Sequence, residues 1–228
     1  MKPFKNEALT DFSKPANRKA MEAALQKVRS WFNKEYPIVI GGEEIRTNDK
    51  LKSYNPSNPG EVVGVFQKAD LNLANKAVET AAAKFETWKH VDPKKRADYL
   101  FKAAKIMRKR KHEFSAVMVY EVGKTWPEAD ADTAEAIDFM DFYAREMLRY
   151  GGKQPVTKIP TEKNELVYVP LGVGVVVPPW NFPLAILVGM ATAATVTGNT
   201  VVLKPSSDSP LTGWMLFDLM REVGLPAG

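Results

Sequence analysis

The sequence predicts an α/β protein in which a parallel, Rossmann-type sheet follows a group of helices, and three observations carry that expectation. Residues 171–210, LGVGVVVPPWNFPLAILVGMATAATVTGNTVVLKPSSDSP, read as strand, tight turn, apolar helix and strand, which is a βαβ unit. Within it, Val173 to Val177 is a β-branched run, the pattern of a strand buried on both faces. Upstream, apolar residues recur at spacings of three and four through several long stretches, as amphipathic helices require.

Taken in order, the first helix spans Asn17 to Phe32, with Met21, Leu25, Val28 and Trp31 on one face. Tyr36 to Ile45 gives two short β stretches about a Gly41-Gly42 turn. Leu51 to Asn55 and Glu61 to Gln67 continue as strands around NPSNPG, a loop by its Asn, Pro and Gly content. Asp70 is placed to cap a helix whose apolar positions include Leu73, Ala77, Ala81, Phe85 and Trp88. Asp92-Pro93 supplies a cap and a first-turn proline for a helix that reaches about Tyr120. Gly123 ends that helix and Pro127 begins the next. After Gly151-Gly152, two β stretches, Pro155 to Pro160 and Glu165 to Val169, flank the polar turn TEKN and predict an edge hairpin. In the βαβ unit, Pro178 and Pro179 stop the first strand because neither can donate to a ladder. Pro183 suits the first turn of the helix that runs through Leu184, Ile186, Leu187, Met190 and Val196 to a Gly198 cap. Thr200 to Leu203 is the second buried strand, with Lys204 at its carboxyl end, and a final helix covers Leu211 to Val223. Ligands of open α/β sheets sit at the carboxyl ends of the strands, where Trp180-Asn181 and Lys204-Pro205-Ser206-Ser207 both fall.

Composition removes several function classes. With 45% hydrophobic and 26% charged residues the chain is ordinary globular protein. No apolar run approaches the length of a membrane span, and MKPFKNEALTDF has no signal-peptide core, so a cytoplasmic protein without membrane partners is expected. The absence of cysteine excludes disulfides and thiolate metal sites, and His90 and His112 form no close pair, so no metal is expected. The net charge of +5 is spread along the chain, which argues against a nucleic-acid partner. Its densest basic cluster, Arg108 to Lys111, is expected to be a solvated helix face between Ile106 and Phe114. Glu128, Asp130 and Asp132, two apart in a helix's first turns, diverge rather than converge on a metal; the expectation is solvated carboxylates complementing the helix dipole. Glu135, between Ala134 and Ala136 and four residues before Phe139, should face a partner, water or a cleft, since an unpaired buried carboxylate is costly.

The pair PPWNFP (178–183) and GNTVVLKPS (198–206) resembles the aldehyde dehydrogenase superfamily, which oxidises aldehydes to acids with NAD(P), and the resemblance covers nearly the whole chain. GKTWPEADADTAEAIDF (123–139), with the long N-terminal extension, is similar to the 1-pyrroline-5-carboxylate dehydrogenase family, which oxidises glutamate γ-semialdehyde to glutamate in proline catabolism. The resemblance implies an aldehyde dehydrogenase-like fold in three parts. Residues 1–150 are expected as the N-terminal helical and β-stretch part of the cofactor-binding domain, and 151–170 as an oligomerisation-type hairpin. Residues 171–228 are then the first βαβ unit and following helix of an incomplete NAD-binding sheet, in an enzyme that is a homo-oligomer when complete.

It also implies roles for particular residues. Asn181 matches the asparagine that donates to the oxyanion of the tetrahedral intermediate, beside the backbone N–H of the catalytic cysteine. Phe182 would line the aldehyde channel, and Glu135 matches a glutamate near the aldehyde pocket. The backbone of Val177, Pro178, Pro179 and Trp180, running into Asn181, would touch the nicotinamide ribose. Lys204, with Ser206 and Ser207, would sit at the adenosine ribose. Where the superfamily often has KPxE, this chain has Ser207, a neutral hydroxyl that does not repel a 2′-phosphate; NAD use with NADP tolerated is expected.

The family pattern breaks at one decisive point. Covalent aldehyde oxidation needs a thiolate, and these residues include no cysteine. The family's pyrophosphate-side glycine motif, general-base glutamate and substrate-carboxylate loop are absent as well. The expectation is the N-terminal portion of a longer enzyme, inactive alone, whose partners are the small aldehyde and the catalytic part that carries the cysteine. Two alternatives stand beside it: a non-catalytic binding or assembly module derived from such an enzyme, and a member of another aldehyde dehydrogenase subfamily.

Overall fold

The computed structural model describes residues 3–228, and its architecture grows outward from one long helix. The chain opens with α1 (Pro15–Arg29) and five short strands, β1 (Glu35–Tyr36), β2 (Ile38–Ile40), β3 (Glu43–Ile45), β4 (Lys50–Asn55) and β5 (Asn58–Gln67). Four helices follow, α2 (Leu71–Trp88), α3 (Pro93–Lys109), α4 (Lys111–Val122) and α5 (Trp126–Tyr150). The βαβ unit is β6 (Val173–Val176), α6 (Ala185–Val196) and β7 (Thr200–Leu203), and α7 (Pro210–Glu222) closes the described chain.

β6 and β7 pair in parallel, in register from Val173 opposite Thr200 to Val176 opposite Leu203. The N-terminal strands form a sheet of order β1-β5-β4 and a separate β2–β3 hairpin. Gly41 and Gly42 take φ of +61° and +89° at the tip of that hairpin, the left-handed pair that a two-residue turn demands. The core lies between helices: α5 packs against α3 and α4 on one side and against α6 on another. Met107, Phe114, Met118, Ile137, Met140, Leu187 and Leu216 are among its fully buried side chains. Gly189 lets α6 approach closely, since a Cβ there would stand 3.2 Å from the Phe139 ring.

The expected caps of α2 and α3 form. Asp70 accepts the Leu73 N–H at 2.8 Å, and Asp92 accepts the Lys94 N–H at 2.7 Å. Gly123 closes α4 in the left-handed conformation, φ +70°.

Elsewhere the structure departs from the sequence reading. The helix expected from Asp92 to Tyr120 is two helices that meet at Arg110, with no glycine or proline to announce the break. The turn lets Lys111 drop inward, where its ammonium lies 2.9 Å from Asp130 and donates to the Ala8 carbonyl at 2.8 Å. The basic cluster is therefore only in part a solvated face: Arg108 and Lys109 are exposed, but Lys111 is buried. Arg108 bonds Glu7 and Asp141, Arg110 bonds Glu113 and Glu222, and only Lys109 is left to solvent without a paired carboxylate among the described contacts. Asp130 and Asp132 are likewise buried rather than solvated, because α5 is covered on two sides and little of its circumference meets water.

The expected hairpin does not form either: residues 153–170 contain no strand. Val167, Tyr168 and Val169 are exposed, and a two-stranded ribbon with nothing packed on its face is marginal in water. β6 is buried on one face rather than two, with Val176 at 4% exposure but Val175 at 60%. Finally, α6 starts at Ala185, two residues after Pro183, which belongs to the preceding turn.

Candidate active-site cleft

Two turns build the cleft. The first follows α4, where left-handed Gly123 redirects the chain and delivers Lys124 to the start of α5. Thr125 then caps α5 in a reciprocal box: its side chain accepts from the Glu128 N–H while the Glu128 carboxylate accepts from the Thr125 N–H and hydroxyl. The second turn is the Pro178–Leu184 connection between β6 and α6. Between the two lies a cleft of about 450 Å³ lined by Val122, Gly123, Lys124, Glu128, Ala131, Asp132, Glu135, Asn181 and Phe182.

Glu135, more than forty positions before Asn181 and Phe182 in sequence, thus shares one cavity with them. Glu135 is exposed into it, as its position between two buried alanines required. Asn181 is exposed and Phe182 is half-exposed, as befits groups that meet a ligand.

Beneath the cleft sits an ion pair. Lys124 Nζ lies 2.8 Å from Asp132 Oδ2, and the two side chains are 13% and 0% exposed. Asp132 Oδ1 accepts the Ala185 N–H at 2.6 Å, so a carboxylate on α5 caps the start of α6. Burial pushes the Asp132 carboxyl above the ordinary aspartate range, while Lys124 and the N–H groups of Ala185 and Leu184 hold it back. The Lys124 ammonium also stands 4.4 Å from the centroid of the Phe182 ring.

The cofactor-side residues expected from sequence lie apart from this cleft's lining, at the carboxyl ends of β6 and β7. The Lys204 N–H donates to the Val176 carbonyl at 3.0 Å, carrying the parallel ladder one step past the strands and aligning the two ends. Val177, Pro179 and Trp180 are exposed there, and Pro178 is buried beneath them. The Lys204 side chain is exposed and donates to the Pro205 carbonyl at 3.0 Å; Ser206 Oγ accepts the Asp208 N–H at 3.2 Å, and Ser207 is open to solvent. Exposed apolar backbone followed by an exposed cation at a parallel-sheet edge can receive a nucleotide.

Sequence reasoning missed Lys124 and Asp132. A signal for Asp132 existed: it lies on the stripe with Ala129, Ala136 and Met140, all buried at helical spacing. Lys124 carried none, because a lysine beside a helix-ending glycine reads as solvent-facing.

Comparison with known proteins matches this architecture. The aldehyde dehydrogenase family matches residues 44–228. A 1-pyrroline-5-carboxylate dehydrogenase of Bacillus mycoides is 54% identical over 225 residues, 99% of this chain and 44% of that protein. One from Anoxybacillus flavithermus is 54% identical over the full 228 residues, again 44% of its own length. Among solved structures, 1-pyrroline-5-carboxylate dehydrogenase from Thermus with bound NAD superposes with a TM-score of 0.95 at 46% identity, covering 100% of this chain and 44% of that one. The chain thus spans less than half the length of these relatives. With the match extending from β3 through α7 and taking in both turns of the cleft, the chain belongs to the aldehyde dehydrogenase family.

Proposed function

We propose that this chain supplies the oxyanion donor, part of the aldehyde pocket and one edge of the nucleotide site of an NAD-dependent dehydrogenase that oxidises glutamate γ-semialdehyde to glutamate. The observation that carries the reading is the convergence of Asn181, Phe182 and Glu135 on one cleft. In that cleft the Asn181 side-chain N–H is exposed to donate to the carbonyl oxygen as a nucleophile adds and negative charge develops there. Phe182 offers an apolar wall to the aliphatic part of the substrate. Glu135 offers a carboxylate that suits an ammonium group, which favours an amino-acid aldehyde over an alkyl one.

The nucleotide would be held at the carboxyl ends of β6 and β7, by the backbone of Val177, Pro178, Pro179 and Trp180 on the nicotinamide side and by Lys204, Ser206 and Ser207 on the ribose side. When bound it supplies the hydride acceptor. The neutral Ser207 leaves room for NADP, and an NADP rate below about one-thousandth of the NAD rate in the complete enzyme would remove that part of the reading. The thiolate that attacks the aldehyde must come from outside these 228 residues, which include no cysteine. Residues 151–170 are read as the arm through which subunits associate, and residues 1–150 with 171–228 as contributions to one nucleotide-binding domain.

The test is reduction of NAD by pyrroline-5-carboxylate, measured on the chain alone and on the chain produced together with the segment that carries the cysteine. Activity confined to the combination supports the reading. Soluble, folded protein that stays inactive in both would favour a non-catalytic assembly module.

A further inference from the structure

We propose that Asp132, clamped by Lys124, is the positioning residue for the Asn181 amide. This rests on the reading of Asn181 as oxyanion donor. The turn carrying Asn181 has little polar anchorage of its own. Leu184, the residue at the N-cap of α6, provides no side-chain cap, and Asn181 itself is exposed. Two contacts from elsewhere bracket it. On its carboxyl side, Asp132 Oδ1 accepts the Ala185 N–H at 2.6 Å and ties the start of α6 to α5. Immediately after Asn181, the Phe182 ring lies 4.4 Å from the Lys124 ammonium.

Those contacts are one device, because Lys124 Nζ is also 2.8 Å from Asp132 Oδ2. A single ammonium therefore holds both the ring next to Asn181 and the carboxylate that fixes the helix start. The pair is almost wholly removed from water, with Asp132 at 0% side-chain exposure, so it is little screened and its geometry is stiff. An oxyanion donor must meet the developing charge within a few tenths of an ångström, which a turn held by its buried Pro183 and Leu184 and by the Ile186 N–H donating to the Phe182 carbonyl at 3.3 Å, all on the carboxyl side of Asn181, would not by itself ensure. The clamp supplies the missing constraint from the floor of the cleft, without touching substrate.

The test is a double-mutant cycle in the chain combined with the cysteine-bearing segment. An oxyanion contact is made only in the transition state, so D132A should lower kcat by about tenfold or more while KM stays within about twofold. In an N181A background the same substitution should have little further effect, since a residue acting through Asn181 has nothing left to position. K124M should reproduce the kcat loss, and K124R should recover most of what K124M removes. A D132A effect that adds in full to N181A, or one confined to KM, overturns the proposal. Should D132A fail to fold, D132N keeps an acceptor for the Ala185 N–H while removing the charge, and carries the same cycle. If the wild-type combination oxidises no aldehyde, the functional reading fails, and the positioning claim is then read on the 228-residue chain alone. With asparagine-selective ¹⁵N labelling, the Asn181 side-chain amide should be dispersed in wild type and move toward its random-coil position in K124M, which removes the ammonium that joins Asp132 to the Phe182 ring; an unchanged signal overturns it.

Discussion

At the scale of single residues, the strongest chemical expectation attaches to Asn181. Removing one oxyanion donor costs about a hundredfold to a thousandfold in kcat. Asn181→Ala in the complete enzyme should lose that much turnover with little change in KM, and steady-state NADH formation reads both. A second residue matters for stability instead. Glu121 is fully buried and accepts the Leu211 N–H at 2.6 Å, the Thr212 N–H at 2.9 Å and the Thr212 hydroxyl at 2.8 Å, so it caps α7 from α4. Burial pushes its carboxyl up to about 7, against the pull of those donated hydrogen bonds. Because the folded chain then binds this proton more tightly than the unfolded one, its contribution is greatest at low pH and falls as pH rises from 4.5 to about 7. His112 acts in the opposite direction, its imidazole pushed below the usual value by burial, so the stability it contributes is full above 6.5 and is lost as pH falls below that toward the lowered folded value. Comparing Glu121→Gln with wild type separates the two. From pH 4.5 to 7 the melting temperature of wild type should fall relative to that of the variant, and parallel curves would show that folding does not raise the Glu121 pKa.

At the scale of elements, α5 is the piece on which the cleft depends, and its cap is a local feature with a local cost. Thr125→Ala removes the acceptor of the Glu128 N–H and the partner of the Glu128 carboxylate, which should destabilise the chain by about 1 kcal/mol in urea unfolding. This helix also shows what a sequence makes legible. Its Pro127 and apolar spacing are local signals, as are the Asp70 and Asp92 caps, the Gly41-Gly42 turn and the parallel β6–β7 pairing, and these are found in the structure, whereas Pro183 falls before the first turn of α6. What depends on distant partners was not legible. Whether Asp130 and Asp132 meet water depends on α4 and α6 covering α5, and on Lys111 and Lys124 arriving from elsewhere. The Arg110 break likewise has no local signal, and what accompanies it is the distant pairing of Lys111 with Asp130. The 155–169 stretch has strand-like composition, but a strand requires something to pair with and a face to cover. Hydrogen exchange checks that argument. Amides across 155–169 should exchange within seconds in the chain alone, while the α5 amides around Ile137 and Met140 stay protected; slow exchange across 155–169 would mean that strand pairing forms in solution.

At the scale of the whole molecule, what the chain contains and what its family's chemistry demands are out of balance, and that imbalance yields the last prediction. The cleft presents an exposed side-chain amide, an aromatic ring and a carboxylate, but no thiol, and no other described residue can replace a thiolate as a nucleophile that also leaves easily. Around it, Val175, Val177, Trp180 and Phe182 are each about half-exposed or more on the carboxyl-end side of the β6–β7 sheet, a concentration of apolar surface where a nucleotide and further strands suit the chemistry better than water does. The chain alone should therefore form no NADH with pyrroline-5-carboxylate at any enzyme concentration, yet still bind an apolar fluorescent dye strongly. Combining it with the cysteine-bearing segment should abolish dye binding and create activity together, because the same surface is covered as the site is completed. Loss of dye binding without activity would mean that the surface serves assembly rather than catalysis. Activity in the chain alone would mean that some other group here forms the covalent bond, and Asn181 would then have to be reassigned along with it.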